Sequence, residues 1–150
     1  MKAGKDHFKE DLSSFLSVEK DLSIILEKIM SNQRLLKLLY YTNKDCLKGA
    51  DLTPAQVVSM INNQIRIVPV VNASEACPNY IVVTFGSFTK NGHNPEFRDN
   101  HIMFDIVCNP DHWILNNFQL RPLKIAGELD KMFKDKHLTG IGDVEFHSGS

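Results

Sequence analysis

Apolar positions in the first forty residues recur at helical spacing. Phe8, Leu12, Phe15 and Leu16 fall three or four apart, and Leu22, Ile25, Leu26 and Ile29 repeat the pattern. Two helices separated by a cap at Ser17, or one helix running through it, satisfy that spacing. Ser31-Asn32 interrupts the stripe and RLLKLLYY, Arg34 to Tyr41, restarts it. We therefore expect an N-terminal helical segment or arm over residues 1–31 and a main domain over residues 32–150. After the polar connector TNKDCLKGADL, Thr53-Pro54-Ala55-Gln56 has the composition of a helix start. Threonine can cap, proline fits the first helical position, and glutamine at the third can reach back to the cap. Val57, Val58 and Ile61 are expected to face inward, and Asn62-Asn63 to end the helix.

The period then shifts to two. RIVPVV (Arg66 to Val71), YIVVTF (Tyr80 to Phe85) and HIMFDIVC (His101 to Cys108) are β-branched and aromatic runs between turn residues. Pro69 lacks a donor for a ladder, so the first run belongs at an edge or ends early. In the third run Ile102, Phe104, Ile106 and Cys108 alternate with Met103, Asp105 and Val107. With both faces mostly apolar, it is expected to be a central strand covered on two sides. The connector GSFTKNGHNPEFRDN, Gly86 to Asn100, is long for a hairpin, and loops of that length are commonly functional. Asn109-Pro110 opens a further helical turn. PLKIAGELDKMFK then forms an amphipathic helix headed by Pro122, with Ile125, Ala126, Leu129, Met132 and Phe133 as its buried stripe. Lys124, Glu128 and Lys131 would pair along its wet face. GIGDVEF supplies a last strand. The order predicts an α+β fold, a mostly antiparallel sheet of about four strands packed against helices.

Composition narrows the function little. Hydrophobic content of 43% and charged content of 23% are those of an ordinary globular chain. A net charge of −1 argues against a broad electrostatic grip on nucleic acid. Cys46, Cys77 and Cys108 are far apart and show no CxxC spacing, so no zinc knuckle or disulfide framework is indicated, and a reducing cytoplasm suits them. The N-terminus does not resemble a signal peptide, and no apolar run suits a membrane.

The chemistry to weigh lies at Asn94 to Asn100. An acid followed by acid-x-lysine on adjacent strands would suggest a Mg²⁺-dependent nuclease core. Glu96 or Asp99 could be the first acid and Asp105 the second, but Val107 stands where the lysine should be. Asp105 is better explained by pairing with a neighbouring basic residue or by a subunit contact. His7, His93, His101, His112, His137 and His147 show no spacing that joins two imidazoles on one helical face. No nucleophile with a base, phosphate loop, metal site or cofactor motif is recognisable. What remains is residues suited to contacts: Phe88, Asn94, Pro95, Glu96, Phe97, Arg98, Asp99 and Asn100 in the loop, with Trp113, Phe118 and Arg121 beyond the strand. For Trp113 and Phe118, core packing under loops is the favoured ordinary role.

NPEFRDNHIMFDIVC, with DHWILNNFQLRPLKIAGELDKMF and LTGIGDVEF, resembles neck proteins of tailed bacteriophages. The likeness is to head-to-tail connector or tail-terminator-like ring proteins, including those of crAss-like phages. NQRLLKLLYYTNKDCL and RIVPVV resemble the same set, so the similarity runs roughly from Ile29 to Phe146. It implies a tail-terminator-like α+β subunit, without catalysis or cofactor, that closes a homo-oligomeric ring of about six or twelve copies. Connector, portal and tail proteins would be its neighbours, and DNA would only pass through the lumen. Assembly in the host cytoplasm and residence in the virion neck follow from the same resemblance. The alternatives from other classes are the small Mg²⁺-dependent nuclease on Glu96, Asp99 and Asp105, and a soluble module that binds a host protein through the aromatic loop.

Overall fold

A computed structural model describes residues 19–67, 77–85, 89–90, 98–99 and 102–133. Among these the chain forms an α+β fold of helices and a three-stranded mixed sheet. It divides into two units, one containing residues 33–126 and the other residues 19–32 with 127–133.

The larger unit begins with α2, Gln33–Tyr40, after the first helix, α1, over residues 19–31. The break at Asn32 falls where the apolar stripe lapses. Leu35, Leu36, Leu38 and Leu39 of α2 are all buried, at spacings of one, three and four that fill a wide helical stripe. Leu52 is held beside this helix, since its N–H donates to Gln33 Oε1 at 2.9 Å and Gln33 Nε2 donates back to its carbonyl at 3.3 Å.

Next comes α3, Pro54–Met60, which carries the expected capping box. Gln56 N donates to Thr53 Oγ1 at 3.3 Å, and Thr53 N donates to Gln56 Oε1 at 2.9 Å. The inward face differs from expectation. Met60 is buried, Val57 is half-buried, and Val58 and Ile61 are exposed. Residues 57 and 60 share a helical face, whereas 58 is turned about 100° from 57. Asn62, at φ 65°, ends the segment in the left-handed region that asparagine tolerates.

The sheet has the order β1-β2-β5, formed by β1 (Ile65–Arg66), β2 (Asn79–Phe85) and β5 (Ile102–Cys108). β1 runs parallel to β2, with Ile65 opposite Ile81. β2 and β5 are antiparallel over seven pairs, from Asn79↔Cys108 to Phe85↔Ile102. The central strand among the described residues is thus β2, not β5. Ile81, Val82 and Val83 are buried on both of its faces, and α2 lies against it. On β5, Ile102, Phe104, Ile106 and Cys108 are half-buried, while Met103, Asp105 and Val107 are exposed. Two apolar side chains on that second face misled the expectation of a doubly covered strand. The long connector contains a two-stranded ladder, β3 (Thr89–Lys90) with β4 (Arg98–Asp99). Residues 68–76 and the expected last strand lie outside the described residues.

α4, Arg121–Phe133, closes the described chain. Ile125, Leu129, Met132 and Phe133 are buried as predicted. Glu128, assigned to the wet face, is instead buried, and within the smaller unit its Oε2 accepts from Asn32 Nδ2 at 3.4 Å. A buried carboxylate needs such partners, because leaving it unpaired would cost several kcal/mol. In that unit Ile25 and Ile29 of α1 are buried too, as their spacing predicts.

Candidate functional site

Between β5 and α4 the chain makes a small hairpin that the sequence reading did not anticipate. Ile114 and Leu120 form an antiparallel bridge, flanked by Leu115 N donating to Gln119 O and Arg121 N donating to Trp113 O, both at 2.7 Å. This is the non-hydrogen-bonded type of pair, in which opposed side chains come closest and share a face. The tip, Asn116–Phe118, turns through two left-handed residues, Asn117 at φ 61° and Phe118 at φ 58°. Asparagine accepts that region readily, but for an aromatic residue it costs on the order of 1–2 kcal/mol.

The hairpin is fixed from both sides. Asn116 Nδ2 donates to Asp45 Oδ1, and Asn116 N donates to Lys44 O at 3.4 Å. Trp113 Nε1 donates to Cys108 O at 2.8 Å, at the end of β5. Asn109 Oδ1 accepts from Asp111 N at 3.0 Å and shapes the turn that leads in. So held, the hairpin displays apolar side chains to solvent. Phe118 is 93% exposed, Ile114 53% and Trp113 44%, and Leu123, one turn beyond Leu120, is 68% exposed. The favoured core role for Trp113 and Phe118 is therefore overturned, and both side chains face solvent. Neither periodicity nor composition singled out Ile114, Leu120 or Leu123 as exposed.

Arg121 corrects the expectation in the other direction. Placed by sequence at an interface, it is completely buried. Its Nε donates to His112 O at 2.8 Å, Nη1 to Leu38 O and to Tyr41 O at 2.8 Å, and Nη2 to Asn43 O at 3.1 Å. Leu38, Tyr41 and Asn43 lie at and just beyond the C-terminal end of α2, where carbonyls lack intrahelical donors and the helix dipole is negative. The guanidinium thus caps α2 and anchors the base of the hairpin in one step.

Of the loop candidates, Phe88, Asn94, Pro95, Glu96, Phe97 and Asn100 lie outside the described residues. Arg98 and Asp99 are described in backbone only, with Arg98 opposite Lys90 and Asp99 opposite Thr89. Asp105 stands on the exposed face of β5 between Met103 and Val107.

Two of the thiols, Cys77 and Cys108, are held in the neutral form. Burial pushes Cys108 up to about 11 against the partial opposition of Arg121. It also raises Cys77, opposed by the nearby Arg66 guanidinium. Arg66 is itself buried, donates from Nε to Asn63 O at 2.7 Å, and lies 3.7 Å from the centre of the Tyr80 ring. That cluster packs a cation on an aromatic face and stabilises the β1–β2 pair. Among the described residues no three His, Cys, Asp or Glu side chains converge as metal ligands. No helix of the described chain is long and apolar enough to cross a membrane.

No curated protein and no solved structure matches the chain. A family model does, over residues 32–150, a span that contains the hairpin, its Arg121 anchor and the whole described sheet. The chain therefore belongs to the YomW family, a phage-associated family.

Proposed function

We propose that this protein is a structural component of a tailed-phage particle, a tail-terminator-like ring subunit of the neck that joins portal or connector to tail. It acts through contacts with copies of itself and with adjacent virion proteins, while DNA passes through the lumen without being held. It catalyses no reaction in this role and is assembled in the host cytoplasm before residing in the virion. The observation that carries the proposal is the solvent-facing hairpin at Trp113–Leu120. Its tip holds a phenylalanine in an unfavourable backbone conformation, and nothing within the described fold covers that ring. A side chain kept exposed at a cost to the subunit is accounted for by what it meets on assembly. The phage association of the family and the near-neutral charge agree with a conduit that does not grip phosphates. Mass spectrometry and electron microscopy of purified virions carrying a tagged copy test the proposal. The protein should be present in stoichiometric amount, with label at the neck. Its absence from purified particles would overturn the proposal.

A further inference from the structure

Neighbouring residues at the start of α2 are tied to different units. Asn32 Nδ2 donates to Glu128 Oε2 in the smaller unit, whereas both polar ends of the Gln33 side chain are bound to the backbone of Leu52 in the larger. The helical break between α1 and α2 is one residue wide. Residues 19–40 contain no proline or glycine, so nothing in the covalent chain requires that break. Leu22, Ile25, Ile29, Asn32, Leu36 and Leu39 also alternate at spacings of three and four across it. One heptad phase therefore runs through both helices, with Asn32 as its polar member. Helical φ and ψ at Asn32 would join α1 and α2 in a single helix about 33 Å long.

Packing in the smaller unit is what holds the break. Ile25 and Ile29 share a helical face with Asn32, and Met132 shares one with Glu128. The Asn32–Glu128 bond brings these faces together, and Ile25, Ile29, Glu128 and Met132 are all buried. Straightening at Asn32 takes α1 off its own residues 127–133, while the Gln33–Leu52 bonds keep the start of α2 in place. Ile25, Ile29 and Met132 would then be bare. The helix already seen to fit Glu128 and Met132 is α1, and another copy of the chain supplies it. The matched family span begins at this hinge, so α1 lies outside it and the seat at 127–133 lies within.

We infer that two copies of this chain exchange α1 reciprocally, each straightening at Asn32 and laying Ile25 and Ile29 on residues 127–133 of the other. Exchange reuses the contacts made within one chain, so the only new terms are the hinge and the loss of freedom on association. The closed monomer prevails in dilute solution and the exchanged pair when copies are crowded. This goes beyond the neck proposal and does not depend on it.

Sedimentation of the full chain after incubation at about 1 µM to 1 mM tests the exchange. Wild type should pass from monomer to dimer. Asn32→Ala favours helix at the hinge about threefold per chain, so it should raise the dimerisation constant about tenfold. A short glycine-serine insertion between Asn32 and Gln33 breaks the joined helix but lets α1 dock in its own chain, so this variant should stay monomeric. Ile29→Asp spoils the donated face and Met132→Asp the accepting one. Neither should dimerise by itself, and their mixture should give the heterodimer. Asn32→Ala and the insertion replace no buried side chain, so they decide the matter if an aspartate variant fails to fold. Wild type and Asn32→Ala both monomeric throughout, or a dimer that survives the insertion, would overturn the exchange. Exchange in a protein absent from virions would overturn the neck proposal alone, and a virion protein that never exchanges would do the reverse.

Discussion

Replacing Arg121 by alanine should be among the most damaging single changes available to this fold. The guanidinium makes four hydrogen bonds, to the carbonyls of Leu38, Tyr41, Asn43 and His112. Hydrogen bonds to a charged group contribute about 1.5–3 kcal/mol each, although deletions within one network do not add. Water can reach some of the abandoned carbonyls, since three of the four bonds are only partly buried, but the Leu38 carbonyl is enclosed. Loss of this shared donor, with the cavity it leaves, should therefore cost about 3–5 kcal/mol. That is a large part of the ~5–15 kcal/mol by which domains are stable. Urea unfolding followed by circular dichroism measures it, with an unchanged slope required for a like-for-like comparison. Arg121→Met separates the causes, for it retains most of the volume and removes every donor. Arg121→Lys keeps the charge but concentrates its donors at one point, and should recover less than half of the loss. If alanine and methionine both fall within about 0.5 kcal/mol of wild type, water satisfies these carbonyls and the capping role of Arg121 is wrong.

Two further outcomes are expected. Thr53→Ala should cost about 1 kcal/mol in the same assay, because it removes one half of the capping box at α3. For Cys108, whose folded value is raised from about 9 to about 11, the fold favours the neutral thiol. The associated stability is complete below the unfolded value and is lost as pH climbs from about 9 towards 11. Wild type should accordingly lose more stability across that interval than Cys108→Ala. Cys108 should also resist alkylation in the native protein at pH 8, and labelling there at the rate of a free thiol would contradict its burial.

Much of the fold was legible because short-range chemistry decided it. Thr53, Pro54 and Gln56 specify the start of α3 without help from the rest of the chain, and the leucines of α2 announce a buried stripe. β2 and β5 were readable as strands, but which one is central depends on pairing, and apolar Met103 and Val107 do not disclose that their face is open. Glu128 was misplaced for a related reason: charge pairing along one helix is visible in sequence, whereas a partner ninety-six residues away is not. At the candidate site Trp113 and Phe118 were favoured for the core, and both are exposed. Their exposure follows from the hairpin between β5 and α4, which is set by two left-handed residues that no glycine signals. Arg121 looked like an interface residue because arginine is enriched at contacts and this one lies beside an irregular segment. Only the carbonyls at the end of α2 explain why this one is not.

That last arrangement has a consequence for synthesis. The carbonyls of Leu38, Tyr41 and Asn43 receive their donor from a residue 78 to 83 positions later. At translation rates of ~5–20 residues per second, the end of α2 waits at least several seconds for the group that completes it. A nascent chain halted before Arg121 would carry an α2 that is open at its C-terminal end and a hairpin without a base. The fold therefore closes only late in its own translation, once Arg121 has left the ribosome.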